Sequence, residues 1–318
     1  MPKQSKKTTP KKLAKNKPKV TKESAKVVLP GYRAFSRLVF RHLLDHRNVF
    51  GRVLLLAVSA LVLIAGVSNY SVYSDLSQMT GNLSGGGSGG FLETVLEVTA
   101  LYLLVMTGTL NGSVSESQQI FLGLTYLMVW LVVVWLLRQL RAGADVKMRD
   151  GLYSAGAPLL TVVLILLFGV LQLLPFALIV SLIAALSSAG ILSGLFAIIG
   201  TVITIMVFVA TLYWLSTTLF ALNVATIPGT YPLIALRTAK ELISGYRVVV
   251  LRRILWLGLV LIVASLIIVP FILLDAVLGY ALTLPVVLLI TVWGVMLFIY
   301  SSSYIYLLYR GIIDERAN

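Results

Sequence analysis

Residues 157–184 read APLLTVVLILLFGVLQLLPFALIVSLIA and contain no charged side chain. The hydrocarbon core of a bilayer is about 30 Å thick, and a helix of about 20 apolar residues crosses it. This run therefore predicts a membrane-spanning helix. The whole chain agrees, because 58% of its 318 residues are hydrophobic and only 12% are charged. So much apolar surface cannot be buried in a water-soluble domain of this length, which excludes soluble enzymes, soluble binding modules and disordered proteins.

Five further runs have the same apolar character. Together with the first they predict an all-α, polytopic membrane protein with about six transmembrane helices. These helices form one domain over 53–310, and a cytoplasmic tail follows over 311–318. The six runs are 53–73, 118–137, 157–184, 194–224, 254–276 and 283–308.

The basic residues predict how the helices are oriented. Lysine and arginine stay on the cytoplasmic side of membrane proteins. Two crossings between successive basic blocks keep every block on that side. We therefore expect both termini to be cytoplasmic. All 26 basic residues fall into the blocks 1–52, 138–149, 237–253 and 310–316.

A seventh apolar run, 91–110, does not fit this count. It contains Glu93 and Glu97, and a crossing here would move the basic block 138–149 to the outside. We interpret the run as an external helix that packs onto the bundle or dips partway into the membrane.

Two amphipathic segments precede membrane runs on the cytoplasmic side. Residues 31–52 mix large apolar side chains with arginines, which is typical of a helix lying on an anionic leaflet. Residues 230–252 repeat this layout, with Thr230 expected to cap the helix and Gly245 to end it. The apolar positions of this second segment recur at helical spacing, at Leu233, Leu236, Ala239 and Leu242.

The N-terminal segment 1–30 is rich in lysine and poor in large apolar side chains, so we expect it to be disordered. Its charge predicts binding to anionic lipids of the cytoplasmic leaflet. Binding to nucleic acid or ribosomes would be non-specific, since the tail has no aromatic side chains to stack on bases. The residues predicted to bind the membrane surface are Lys3, Lys6, Lys7, Lys11, Lys12, Lys15, Lys17, Lys19, Arg33, Arg37, Arg41 and Arg47.

The segment 232–245, PLIALRTAKELISG, resembles an amphipathic element of a broad bacterial group. The group includes uncharacterised six-helix membrane proteins and the membrane domain attached to some glycerophosphodiester phosphodiesterases. An element of this kind precedes each half of the bundle in that group, and residues 32–52 would be the first copy here. The resemblance covers roughly 31–310 and implies an architecture, because the phosphodiesterase chemistry belongs to a separate soluble barrel that is not part of this sequence.

One pattern resembles a metal site. His42 and His46 share a helix face, and Asp45 lies between them, but zinc needs at least three protein ligands. The chain has no further histidine and no cysteine, and Arg41 and Arg47 flank the pattern. We therefore predict no metal, no cofactor and no catalytic residues.

Three polar residues fall within or beside the apolar runs: Gln172, Asn223 and Asp275. An ionisable or amide side chain at this depth is a candidate for a solute path. The alternatives are hydrogen bonds between helices for Gln172 and Asn223, and an interfacial anchor or cap for Asp275.

These observations predict a non-enzymatic accessory or scaffold component of the membrane. A transporter or permease for an apolar or lipid-like solute is the alternative, with the three polar residues along its path. A membrane enzyme acting at the lipid surface is the third hypothesis, and it would require His42 or His46.

The predicted orientation is testable because the chain has no cysteine. We expect Ser88→Cys and Ser154→Cys to react with a membrane-impermeant maleimide from opposite sides of the membrane, since one predicted crossing, 118–137, lies between them. Labelling of both positions from the same side would contradict six crossings.

Overall fold

The computed structural model describes residues 30–64, 116–144, 146–190, 194–227, 229–278 and 282–317, and all regular elements in these ranges are helices. The lysine-rich tail, apart from its last residue, and the external run 91–110 lie outside the described residues. The same holds for the end of the first apolar run, beyond residue 64. The predictions for these segments stay predictions.

The described helices follow one another along the chain. Their bounds are α1 Tyr32–Asp45, α2 Arg47–Ile64, α3 Glu116–Arg141, α4 Met148–Ala155, α5 Leu159–Ser188, α6 Leu195–Ala225, α7 Pro232–Ile243, α8 Arg247–Ser265, α9 Val269–Val277 and α10 Thr283–Ala317. Residues 65–115, which separate α2 from α3, lie outside the described part.

Six of the described segments are long and apolar enough to cross a membrane. This number agrees with the six runs predicted from the sequence, and it supports a multi-pass membrane protein. The segments are Arg47–Ile64, Ser117–Arg141, Leu159–Ser188, Phe196–Ala225, Arg247–Ile272 and Leu284–Glu315.

The short helices α1 and α7 divide their residues between a buried and an exposed face. Helix α1 buries Phe35 and Val39, one turn apart, while α7 buries Ala235, Ala239 and Ile243 at the same spacing. The arginines and lysine between these positions are exposed. A stripe with this period packs on one side only, so both helices are held against the bundle by one face.

Buried apolar side chains concentrate toward one end of the bundle. Helix α3 contributes Leu136 and Leu137, α6 contributes Phe220, and α10 contributes Tyr304 and Leu308, all fully buried. By contrast, most of α5 beyond residue 170 and of α6 before residue 210 is exposed. In a membrane such faces are covered by lipid tails, which are as apolar as the side chains themselves.

Both predicted amphipathic segments are shorter in the structure than in the sequence analysis. In the second, α7 ends at Ile243 and α8 begins at Arg247. Gly245 lies in the turn between them with a φ of +92°, a conformation that favours glycine, so it ends α7 as predicted. In the first, α1 ends at Asp45, and a turn at His46 separates it from α2.

The prediction that Thr230 caps α7 is wrong. Tyr231 occupies the N-cap position, without a side-chain cap. The Thr230 hydroxyl instead donates to the carbonyl of Ile227 at 2.7 Å. It therefore stabilises the chain leaving α6, because the last carbonyls of a helix lack partners within the helix.

The run predicted at 254–276 is two helices. Residues 266–268 form a turn between α8 and α9, and Pro270 lies in the first turn of α9. Proline has no N–H to donate and is tolerated at this position. The side chain of Asp275 then accepts a hydrogen bond from the backbone N–H of Leu282 at 2.7 Å, which ties the end of α9 to the start of α10.

Helices α5 and α6 approach closely at Gly169. A Cβ atom there would lie 3.3 Å from Cγ2 of Thr218. We expect Gly169→Leu to lower the free energy of unfolding by about 1–3 kcal/mol, because a larger side chain forces the helices apart. Thermal or denaturant unfolding in detergent measures the effect.

Gly123→Leu is the matched control, since nothing lies within 4 Å of a Cβ atom at this exposed position of α3. Both substitutions gain the same helix propensity. Equal stability of the two variants would show that α5 and α6 do not pack as described.

Candidate functional site at the arginine-rich end

Described residues of the four basic blocks contact one another in two pairs. Arg141 at the end of α3 pairs with Asp314 near the end of α10. Arg253 of α8 bonds to Pro30, which precedes α1. We call the part of the bundle that contains these contacts the arginine-rich end.

Arg138 joins α3 to the end of α6. Its Nη1 donates to the carbonyl oxygen of Thr226 at 2.8 Å, and its Nη2 donates to the Thr226 hydroxyl. That hydroxyl also donates to the carbonyl of Asn223 at 2.7 Å. The positive charge therefore lies at the C-terminus of α6, where the helix dipole is negative.

One carboxylate serves two arginines beside this contact. Asp314 is hydrogen-bonded to Arg141 and lies 3.8 Å from Nη2 of Arg310. The side chains are partly open to solvent, with exposed fractions of 40% for Arg141, 38% for Arg310 and 43% for Asp314. Ion pairs this exposed contribute about 0–1 kcal/mol, so their main effect is to orient the side chains.

A cavity of about 340 Å³ opens between α3, α10 and the residue that follows Thr226. Three of its six lining residues are arginines and none carries a carboxylate. We call it the arginine pocket. A concave site with one sign of charge concentrates counter-ions, so its chemistry suits an anion. It is lined by Arg138, Arg141, Ala142, Ile227, Tyr306 and Arg310.

Arg253 attaches α1 to the bundle. Its side chain is buried, and its Nη2 donates to the carbonyl of Pro30 at 2.8 Å. The guanidinium also lies over the rings of Tyr32 and Phe35, at 5.4 Å and 5.1 Å from their centroids. Such cation–π contacts are strongest when water is excluded.

Aromatic contacts complete the docking of α1. The Phe35 ring meets the Tyr304 ring edge-on at 4.9 Å, and Trp256 donates from Nε1 to the Ser36 hydroxyl at 3.0 Å. The sequence analysis missed Arg253. The sequence pattern that could have identified it is the pair Arg252 and Arg253 at the start of an apolar run. Neighbouring positions of a helix face different directions, so the two arginines have different surroundings.

The two histidines lie together at the end of α1, His42 in its last turn and His46 in the turn that follows. Their rings are 4.8 Å apart, and Nδ1 of His46 lies 3.1 Å from the carbonyl oxygen of His42. Within the described ranges, no group of three or more histidine, cysteine or acidic side chains could hold a metal ion. Burial lowers the pKa of His42, and the nearby His46 lowers it further.

The three polar residues predicted within or beside the apolar runs lie in different surroundings. Gln172 of α5 accepts a hydrogen bond from the Thr218 hydroxyl of α6 at 2.7 Å, as in the interhelical alternative. Asn223 is buried and donates to the carbonyl of Leu219 in its own helix at 3.0 Å. Asp275 connects α9 to α10. These contacts do not bring the three side chains into one site.

The predicted membrane-surface arginines are exposed: Arg33, Arg37 and Arg41 on α1, and Arg47 at the start of α2. The lysines predicted with them lie outside the described residues.

A second cavity of about 310 Å³ lies between α2, α3 and α4. Its lining is almost entirely apolar and includes Leu56, Phe121, Met128 and Leu152. Its chemistry suits a hydrocarbon chain.

Comparison of the chain with protein-family models, with curated proteins and with solved structures gave no match. The contacts described above are therefore the basis on which a function is proposed.

Replacing Arg253 tests how α1 is held. We expect Arg253→Gln to weaken the docking of α1 by about 1–3 kcal/mol, because α1 loses both the charged donor to the Pro30 carbonyl and the cation–π contacts of Tyr32 and Phe35. Limited tryptic digestion in detergent reports the loss as faster cleavage after Arg33 and Arg37, which lie on α1.

Arg252→Gln is the matched control, since Arg252 is the exposed neighbour. Its cleavage rate should equal that of the unchanged protein. If the two variants were cleaved alike, Arg253 would not hold α1 in place.

Proposed function

We propose that this protein is a non-enzymatic accessory or scaffold component of the bacterial inner membrane. In this proposal the arginine-rich end faces the cytoplasm, and so do both termini. The positive-inside rule supports this orientation, since all basic residues fall into four blocks and two predicted crossings lie between successive blocks.

The docking of α1 is the observation that carries the proposal. Arg253, Trp256 and Tyr304 all contact α1 and hold its apolar face. The opposite face therefore presents its arginines in a fixed arrangement at the membrane surface. A rigid, charged surface of this kind orients a partner at a lower entropic cost than a mobile one.

Helix α7 adds a second element to this surface. Its alanines at 235 and 239 are fully buried, so the helix backbone packs closely on its neighbours, mainly α6. Arg237 and Lys240 remain exposed on it. Together, the exposed faces of α1 and α7 form what we call the basic platform.

The charge of the platform and of the N-terminal tail also suits anionic lipids. Each lysine or arginine near an anionic leaflet contributes about 1 kcal/mol of attraction. The tail would bind nucleic acid or ribosomes only non-specifically, and salt would weaken that binding steeply. Lipid attraction thus keeps the platform at the surface, where a protein partner meets it.

A transporter or permease for an apolar or lipid-like solute is the second candidate. The apolar cavity between α2, α3 and α4 favours it, because a hydrocarbon chain fits such a lining. The polar residues Gln172 and Asn223 favour it less, since their hydrogen bonds engage neighbouring groups within the bundle.

Co-purification tests the scaffold proposal. We expect a defined membrane or cytoplasmic protein to co-purify with the full chain in mild detergent and to remain at high salt. The triple variant Arg33→Gln, Arg37→Gln, Arg41→Gln should lose this partner, because the platform loses three fixed charges. Quantitative mass spectrometry of the eluates measures the loss.

A chain lacking residues 2–26 is the matched control, since it removes ten lysines and leaves the platform intact. It should keep the protein partner. If only lipids or nucleic acid co-purify, and salt removes them, the scaffold proposal fails. Substrate-dependent flux of an apolar or lipid-like solute into liposomes with purified protein would favour the transporter instead.

A further inference from the structure

The arginine pocket carries more positive charge than its surroundings neutralise. Arg138, Arg141 and Arg310 line one cavity, and the carboxylate of Asp314 is the ion-pair partner of the last two. Like charges gathered in one cavity repel each other, and this repulsion grows as water is excluded. An anion that enters the cavity lowers this repulsion.

Arg310 also has a donor that the bundle leaves unused. Its Nε is buried, and no acceptor in the described part of the chain lies within hydrogen-bond distance. The 3.8 Å ion pair with Asp314 engages a different nitrogen, Nη2. A buried donor without an acceptor costs free energy, so an acceptor supplied by a ligand would bind favourably here.

Helix-dipole neutralisation alone does not account for all three arginines. Arg138 and Arg141 lie at the C-terminus of α3, where a positive charge is favourable. Arg310, however, precedes the end of α10 at Ala317 by seven residues, which is about two turns. Arg310 lines the cavity, and this location accounts for its position on α10.

We propose that the arginine pocket binds a phosphate group. Guanidinium groups present paired N–H donors whose spacing matches two oxygens of one phosphate, and three of them converge here. Arg138 and Arg141 are already oriented by Thr226 and Asp314, so the site is largely formed before the ligand arrives.

The location of the pocket bears on the source of the phosphate. The candidate membrane spans that supply its arginines end at Arg141 and Glu315, so the pocket lies at the level of lipid head groups. Tyr306, whose side chain is 98% buried, lies one turn before Arg310 on the membrane side. An anionic phospholipid head group can therefore reach the site from the bilayer, and free phosphate can reach it from water.

This inference does not depend on the scaffold role, since a transporter with the same pocket would bind the same group. It is tested by thermal unfolding of the full chain in a nonionic detergent. A ligand raises the unfolding temperature only if it binds the folded state better than the unfolded state. Ligand that binds the folded and unfolded states equally contributes nothing to this shift.

The first probe is short-chain phosphatidylglycerol, and the reference is a diacylglycerol with the same chains and no phosphate. We expect phosphatidylglycerol to raise the unfolding temperature and diacylglycerol to leave it nearly unchanged. Arg310→Gln should raise the phosphatidylglycerol concentration for half of the shift by about tenfold or more. Arg310→Lys keeps the charge but loses the paired donors. Its phosphatidylglycerol concentration for half of the shift should lie between those of the unchanged protein and Arg310→Gln.

Arg252→Gln is the matched control, because it removes an exposed arginine of α8 that lies outside the pocket and outside the basic platform. It should keep the full response. Equal shifts from phosphatidylglycerol and diacylglycerol in the unchanged chain, together with no shift from inorganic phosphate, would overturn the proposal, and that comparison needs no variant to fold. Equal responses of Arg310→Gln and Arg252→Gln would overturn it as well.

Inorganic phosphate distinguishes the two sources. If inorganic phosphate raises the unfolding temperature in the absence of phospholipid, and Arg310→Gln abolishes the effect, the pocket binds phosphate from water. If only the phospholipid acts, the pocket is a lipid head-group site. Either result supports a phosphate site, and a loss of partner proteins in the platform variants bears only on the scaffold role.

Discussion

Backbone N–H and C=O groups find no hydrogen-bond partner in lipid hydrocarbon, and the rest of this structure depends on that constraint. A segment such as 157–184 must satisfy its backbone internally, and a helix does so. The long helices are accordingly apolar on nearly every side. Their polar side chains form hydrogen bonds with nearby groups. Gln172 accepts one from Thr218, and Asn223 donates one to the Leu219 carbonyl.

The same constraint moves the charged chemistry to the helix ends. Arginine is costly in the hydrocarbon region, so the basic residues gather where the chain meets water. At the arginine-rich end they also join helices: Arg138 reaches Thr226, Arg141 reaches Asp314, and Arg253 reaches Pro30. Positive charge thus helps to assemble the bundle there, and it leaves a cavity lined by arginines and an exposed basic face.

The places where the chain bends follow from more than local sequence. Gly245 was predicted as a helix end, because glycine adopts a positive φ at low cost. Pro270 marks a kink or a helix end by its residue type, and the structure places the turn just before it, at 266–268, among residues as apolar as their neighbours. Thr230 was assigned to the wrong helix, because a hydroxyl can bond forward or backward and local sequence does not distinguish the two.

Hydropathy and the spacing of basic residues by themselves determined the helical class, the six apolar segments and the grouping of the basic blocks. These follow from composition along the chain, since a bilayer selects for length and apolarity. Only the tertiary structure decided which arginines are buried and which are exposed. Arg252 and Arg253 are neighbours of the same type, yet one faces solvent and the other holds α1. The arginine pocket is likewise a product of packing, because its residues come from chain segments about 170 positions apart, and their convergence depends on how α3, α6 and α10 meet.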